Sequence, residues 1–453
     1  MITTKGKCIF YYAIAVLLAL VNYFLIYPGL YNNDSLSQIN QAILNSYGDW
    51  HPPLMAILMH CLYPVFKEGG SLFIQQVFYW TGLAFLLSNI YKNYKLWYLL
   101  LGFLPLTLLQ SFVVWKDAYS LNCIVWFVGI SLSLRDRKSY FKWLAWSFVL
   151  ICGYLIRLNS FIYLFPLSFF CLLYISKEKN VISIFKLLLI SIILIGLSFS
   201  INNCLYKIFK IQKEYPQPTL MLWDIAGIDT FSKKDTSLPE YIKKEALNDA
   251  KNWEKYYDSS TCISICWSKA GINCGLSSQK EVKQLSSLWL KKIKENPRGY
   301  FEHRFAVSSL LLGLQGKKVH YPYHHIQWQP REDQYDISSV GRDYLNFYYS
   351  LADKMIAYHL YQYPIYFILS LVLLSIIFFR FNFNKFNSID LFSIGLIVSS
   401  FFNTVSLLFI AVAADYRYNF VSILFILIAC LLCLKNWGQN KKCRVNKVIG
   451  YLN

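Results

Sequence analysis

The chain has 453 residues, of which 56% are hydrophobic, 18% aromatic and only 15% charged. That balance excludes an ordinary soluble protein and points to a polytopic membrane protein. The formal net charge of +19 does not argue for nucleic acid, because the basic residues come in short clusters between apolar runs and not along one stripe.

Apolar runs long enough for a helix to cross a bilayer lie at about 8–27, 70–91, 96–113, 118–134, 141–157, 159–176, 181–206, 362–380, 388–413 and 416–436. The expected fold is therefore an all-α polytopic membrane protein with about ten transmembrane helices. The first run follows Lys5 and Lys7, lacks a small-residue cleavage site and is too long for a signal-peptide core, so it is expected to stay as a signal anchor. After it comes a polar insert, Tyr27 to Gln38, with Asp34, and then Tyr47 to Pro53, with Asp49 and His51. An amphipathic helix is expected over about 34–45. The apolar stretch 51–66 is shorter than a span, opens on Pro52 and Pro53 and ends at Gly69 and Gly70, which fits an interfacial or re-entrant helix.

With the N-terminus in the cytoplasm and 51–66 not crossing, Lys92/Lys95, Arg135/Arg137/Lys138, Lys177/Lys179, Arg380/Lys385 and the tail from Lys441 all fall inside, as the positive-inside rule requires. The C-terminus is then cytoplasmic too. A second set falls on the outer side: Asp34, Asp49, Trp50, His51, Lys116, Asp117, Arg157, Asn159, Asp415 and Arg417. Each alone has an ordinary explanation as a helix-end charge. Together they converge on one face, where that rule predicts few cations.

Residues 207–361 hold 17 of the 25 acids and 22 of the 44 bases, the mark of a water-facing, mainly helical domain inserted between a membrane module at 1–206, with its outer loop 28–69, and a second module at 362–453. Within it, Trp289, Ile293, Tyr300, His303 and Arg304 recur at helical spacing broken by Pro297, which predicts two short helices packed on the membrane domain. The stretch 321–330, with Tyr323, His324 and Trp328, is rich in aromatic and hydrogen-bonding groups. Most of the twelve cysteines lie in apolar runs, but Cys262, Cys266 and Cys274 fall in this domain, where one pair is expected to form a disulfide if the domain is extracytoplasmic.

Two carboxylates at a membrane surface suit a general base and its orienting partner, removing a proton from an attacking hydroxyl. Asp34, at a helix start, is expected to be held ionised by backbone donors. Asp49 and His51 are the candidates to orient the acceptor or tune Asp34, and Lys116, Arg157 and Arg417 suit a phosphate leaving group. Candidate sugar contacts are Trp50, Asp117, Asn159, His303, Arg304, Tyr323, His324, Trp328 and Asp415, with the aromatics Trp223, Trp289 and Trp328 able to stack on sugar rings, although core or interface packing is the commoner role of any one of them. A zinc hydrolase would need three convergent ligands, but the paired His324 and His325 point apart on any regular element. There is no Gly-x-Ser-x-Gly elbow and no Walker loop.

A first span, an outer loop carrying Asp34-Ser35 and Asp49-Trp-His51-Pro52, many further spans and an outer soluble domain together resemble the GT-C superfamily of polyprenyl-phosphate-sugar glycosyltransferases, most of all the bacterial and prophage enzymes that glucosylate O-antigen. The resemblance implies Asp34 as catalytic base, Asp49 as a second loop acid, and Lys116, Arg157 and Arg417 on the donor phosphate. It implies an inverting transfer of a hexose, glucose in that group, from undecaprenyl-phosphate-sugar to a hydroxyl of lipid-linked O-antigen or a similar glycan. The setting would be the periplasmic side of a bacterial inner membrane, dependent on a donor synthase and flippase. A divalent cation, Mg or Mn, stays open. The soluble domain precedes the last three spans instead of ending the chain, as it does in many relatives. Two alternatives stand beside this: an O-antigen polymerase, expected to rely on arginines of the large loop, and a lipid-linked-glycan flippase or other transporter, expected to need ionisable groups inside its spans.

Overall fold

The computed structural model describes residues 3–136, 139–176, 180–233, 238–242, 253–267, 272–276, 278–315, 322–326, 337–382 and 386–450. Trp328, Arg137, Lys138, Lys177, Lys179 and Lys385 lie outside them.

Among the described residues the chain is all-helical, with no strand beyond isolated bridges. In chain order the helices are α1 (Thr4–Ile26), α2 (Asn33–Leu44), α3 (Leu54–Phe66), α4 (Gly70–Tyr91), α5 (Pro105–Phe112), α6 (Lys116–Asp136), α7 (Tyr140–Ile156), α8 (Phe161–Ile175) and α9 (Val181–Ile208). They continue with α10 (Gln217–Ser232), α11 (Ile263–Cys266), α12 (Gln279–Glu295), α13 (Pro297–Leu311), α14 (Ser339–Ala357), α15 (Tyr363–Asn382), α16 (Ser388–Ile410) and α17 (Tyr416–Gly450). Among the described residues eight stretches, against the ten or so expected, are long and apolar enough to cross a membrane, and α7 is a shorter apolar helix. The α6 helix is packed on nearly all sides, whereas α9 and α15 present rows of exposed Ile, Leu and Phe such as Ile182, Phe185, Leu189, Ile368 and Phe379. Apolar surface on that scale is stable only against lipid.

The run expected as a span at about 96–113 is not one helix. Leu96–Phe103 is a 3₁₀ segment and α5 starts at Pro105. Proline has no N–H to continue a helix, and it forces Leu104 into extended backbone. The broken segment nonetheless runs antiparallel along α4, because Tyr98 stacks on Tyr91, Tyr79 donates to the Gly102 carbonyl, and Gln75 and Gln76 donate to the Ser111 carbonyl. These side chains replace the backbone donors the break removes, as non-helical backbone at membrane depth requires.

Both ends of α3 lie at the same end of the bundle. Tyr31 donates to the Glu68 carbonyl just past its C-terminus, and its N-terminal neighbour His51 faces Asp34. The stretch packs against α2 and α4, and by length and composition it counts with α4 as one apolar stretch, Leu54–Tyr91.

The region 207–361 does not pack as one body. Helices α10 to α13 enclose a core of their own around Leu222, Trp223, Ile265 and Leu285, with the two helices expected on either side of Asn296-Pro297 in place. In contrast, α14 packs into the main bundle through Leu345, Tyr348 and Tyr349, and Tyr344 donates to Asn22 of α1. Its buried stripe, Leu345, Tyr348, Tyr349 and Ala352, is backed by an exposed face carrying Asp343, Asp353 and Lys354, charges that hide a bundle-facing helix from a hydropathy scan.

Candidate active site

The chain between α1 and α2 is tied to the segment before α6 at Leu30, whose N–H donates to the Phe112 carbonyl and whose carbonyl accepts from the Val114 N–H, a parallel bridge to Val113. Helix α2 is capped by Asn32 in a reciprocal box with Ser35. The cap is thus Asn32 and not Asp34, so the expected backbone donors do not hold the Asp34 carboxylate. It sits in the first turn, favoured there by the helix dipole, with its side chain free to point at other elements.

What it meets is Arg417 at the start of α17: Nη1 lies 2.9 Å from Asp34 Oδ2. On its other side His51 Nε2 lies 3.7 Å from Oδ1, and Lys116 Nζ donates to His51 Nδ1 at 3.1 Å. A lysine donating to Nδ1 leaves the proton of a neutral imidazole on Nε2, facing Asp34. Burial, with Lys116 next, pushes His51 down to about 4. Burial pushes Asp34 the other way, but Arg417, then His51 and Lys116, outweigh it and hold its carboxyl well below the usual carboxylate range.

Arg417 is shared. Its Nε lies 2.8 Å from Asp415 Oδ2, and its guanidinium lies over the rings of Trp115 and Tyr418 at 5.0 and 5.1 Å, contacts that favour a cation. Burial raises Asp415 to about 6 despite Arg417. The Tyr418 ring is also met by Arg157 at 5.7 Å, which is buried with Asp117 at 2.6 Å and donates through Nε to Asn159. Asp34, His51, Lys116, Asp117, Arg157, Asn159, Asp415 and Arg417 are therefore one constellation at one end of the bundle, drawn from five separate parts of the chain. The indole Nε1 of Trp115 is buried with no hydrogen-bond partner among the described residues, leaving a donor aimed among these charges.

Other candidates sit elsewhere. Asp49 has no contact with Asp34; its carboxylate accepts from the Glu214 backbone at 2.5 Å and from Tyr206 at 3.4 Å, pinning the segment after α9 to the first loop. Trp50 donates its backbone N–H to Glu214 and sets its ring edge-on to Trp267, 5.7 Å away. His324 is nearer the constellation, with Nε2 3.0 Å from the Tyr31 carbonyl and its ring 6.4 Å from Trp115; burial pushes it down to about 4. Tyr323 is turned to Asp353.

His303 and Arg304 belong to a second buried cluster. Both converge on Asp224 of α10, at 3.0 Å from His303 Nε2 and 2.5 Å from Arg304 Nη2, and Trp289 Nε1 donates to the other Asp224 oxygen at 2.8 Å. Burial lowers His303, with Asp224 opposing. Trp223 is fully buried and donates to the Asp258 carbonyl. Trp223 is thus committed to the fold, whereas Trp289 is half-buried and gives its indole N–H to Asp224. Asp224 escaped sequence reading, although a lone acid in the apolar run LMLWDIAGI was the available signal. Of the three cysteines, Cys266 and Cys274 form a disulfide and Cys262 is free and buried.

A divalent cation does not fit the constellation as it stands. Each of its carboxylates, Asp34, Asp117 and Asp415, is already faced by a guanidinium, and among the described residues no group of three or more metal-ligating side chains comes together. No family model, no curated protein and no solved structure matches the chain.

Proposed function

We propose that the chain is a membrane glycosyltransferase of the GT-C type that moves a hexose from a polyprenyl-phosphate donor to a glycan hydroxyl. The observation that carries this reading is the ion pair of Arg417 with the first-loop carboxylate Asp34, beside two further cations, Lys116 and Arg157, in the same constellation. It pairs a base with a phosphate-binding charge at one membrane face. The topology that goes with it has ten crossings, counting α7 and the broken segment along α4, with the constellation outside and Lys92, Arg135 and Arg380 inside. A disulfide in the α10–α13 body suits an oxidising outer compartment, and in a bacterium the membrane would be the inner one.

The acceptor oxygen attacks the anomeric carbon while its proton passes to Asp34. The bond from that carbon to the phosphate oxygen breaks with inversion, and the electron pair leaves on the polyprenyl phosphate, stabilised by Arg417 and Lys116. In the resting site Arg417 holds Asp34 so strongly ionised that it is a weak base. A donor phosphate competing for the same guanidinium draws Arg417 away, and the proton affinity of Asp34 rises. Donor binding thereby readies the base, and the donor binds first. Asp49, remote from the reacting groups, shapes the loop and takes no proton.

The test is the structure of the surface glycan, by mass spectrometry, in a bacterial host that makes undecaprenyl-phosphate-glucose and its flippase. One hexose added per repeat by wild type and none by Asp34→Asn supports the reading. An unchanged repeat with altered chain length points to a polymerase instead, and an unchanged glycan counts against both.

A further inference from the structure

Arg417 stands at the end of a short connection, Ala411 to Asp415, between α16 and α17, and that connection is gripped by the α10–α13 body. Arg304 Nη1 donates to the Ala411 carbonyl at 2.8 Å, the Cys262 N–H donates to the Val412 carbonyl at 3.0 Å, and the Ala414 N–H donates to the Ser260 carbonyl at 2.7 Å. Thr261 and Ala413 form an antiparallel bridge between them. Three consecutive attachments leave the connection little freedom, and the next residues are Asp415 and Arg417.

The grip is itself anchored in a buried polar cluster. Arg304 is only 3% exposed and Asp224 not at all, so the guanidinium is fixed by its ion pair as well as by Ala411. The remaining Asp224 capacity is filled by His303 and Trp289. A neutral His303 with its proton on Nε2 leaves Nδ1 to accept from Tyr257 at 2.7 Å. The gripping segment is closed from the other side, because α11 starts at Cys262 and the Cys266–Cys274 disulfide ties its end down. A buried ion pair is weak evidence for stability; what fixes the guanidinium here is its double attachment, Nη1 on the Ala411 carbonyl and Nη2 on Asp224, with Nε left without a hydrogen-bond partner among the described residues.

We propose that Arg304, backed by Asp224 and the disulfide, is a positioning residue for Arg417: the body outside the bundle sets where the phosphate-binding arginine sits. This rests on the transferase reading for the role of Arg417, while the grip on the connection is independent of it. A displacement of an ångström at a charge-binding group is enough to cost up to about a hundredfold in a reaction.

The experiment compares wild type, Arg304→Ala, the pair Cys266→Ser/Cys274→Ser and Leu285→Ala in lipid nanodiscs. Leu285 is buried in the core of the same body, against which Val412 of the connection also packs, so Leu285→Ala is a stringent control: it loosens that core while leaving in place the hydrogen bonds that join Arg304, Cys262 and Ser260 to the connection. Two quantities are read: hydrogen exchange of the peptide covering 411–418, and binding of farnesyl phosphate as a probe of the lipid-phosphate site. Expected are faster exchange and roughly tenfold or greater loss of farnesyl phosphate affinity in the arginine and cysteine variants, with neither change in Leu285→Ala. Unchanged exchange overturns the proposal. So does faster exchange with unchanged affinity, or the same pair of effects in the control. If Arg304→Ala does not fold, the double serine variant decides. Wild type that exchanges as expected but binds no farnesyl phosphate overturns the phosphate role of Arg417, and the grip on the connection then stands apart from any transfer.

Discussion

Arg417 Nη1 and Asp34 Oδ2 are 383 positions apart in sequence and 2.9 Å apart in space. A base that is neutralised by the cation meant for its co-substrate works only if the two anions exchange. Asp34→Asn removes the competitor while keeping the shape, so it is expected to bind farnesyl phosphate several-fold more tightly than wild type and to lose transfer by about 10²–10⁴, the usual worth of a general base. Equilibrium binding and a turnover assay on one preparation measure both. Weaker phosphate binding in the asparagine variant sinks the exchange.

The pH dependence has a definite sign. Burial raises Asp415 to about 6 from 3.8, so below about 6 it is protonated and its hold on Arg417 Nε is weakened; as pH rises through that value it ionises and the arginine is fixed. Transfer is expected to rise with an acid limb near 6, and Asp415→Asn should lose that limb. His51, pushed to about 4, does not titrate there. Stability runs the opposite way: the folded state holds a proton on Asp415 between about 4 and 6 that the unfolded chain releases, so this group's contribution falls as pH rises across that window. A limb that survives in Asp415→Asn assigns it to another group.

Arg157 and Asp117 answer a different assay. Both are about 3% exposed and face each other at 2.6 Å. Removing one partner leaves a charge uncompensated in the bundle, at a cost of roughly 3–5 kcal/mol. Asp117→Ala is therefore expected to lower the thermal midpoint clearly, whereas Asp34→Asn, whose carboxylate is 28% exposed and whose partner Arg417 keeps Asp415, should lower it less, by the stabilisation the depressed carboxyl contributes at neutral pH, while losing most of the turnover. Equal midpoints for the two variants contradict this division.

Sequence alone reached the membrane class, the sparse charges at helix ends and most of the constellation, because a charge in an apolar chain is conspicuous wherever it stands. It missed what depends on direction. Asp34 and Asp49 look equivalent in one short loop, but Asn32 takes the capping role and turns Asp34 toward α17, while Asp49 is drawn to the Glu214 backbone. Pro105 was visible, yet a run of apolar residues gives no sign that Gln75, Gln76 and Tyr79 will hold its broken backbone. Asp224 was hidden because its partners His303, Arg304 and Trp289 come from helices more than 60 residues away.

The tryptophans expected to meet sugar are redistributed. The indole N–H groups of Trp223 and Trp289 are spent on Asp258 and Asp224, while Trp50 and Trp267 form a paired edge beside His51. Trp267 is 56% exposed, and its neighbour Cys266 is fixed by the disulfide, so the ring is offered with little freedom to lose. An aromatic contact of this kind is worth about 0.5–1.5 kcal/mol. Trp267→Ala is accordingly expected to raise the KM for the glycan acceptor roughly two- to tenfold, leaving kcat and farnesyl phosphate affinity as in wild type, and Trp267→Phe should restore most of the loss. A fall in kcat with an unmoved acceptor KM places the acceptor elsewhere, and the exposed ring, with Ile263 one turn before it, is then an anchor in the membrane interface.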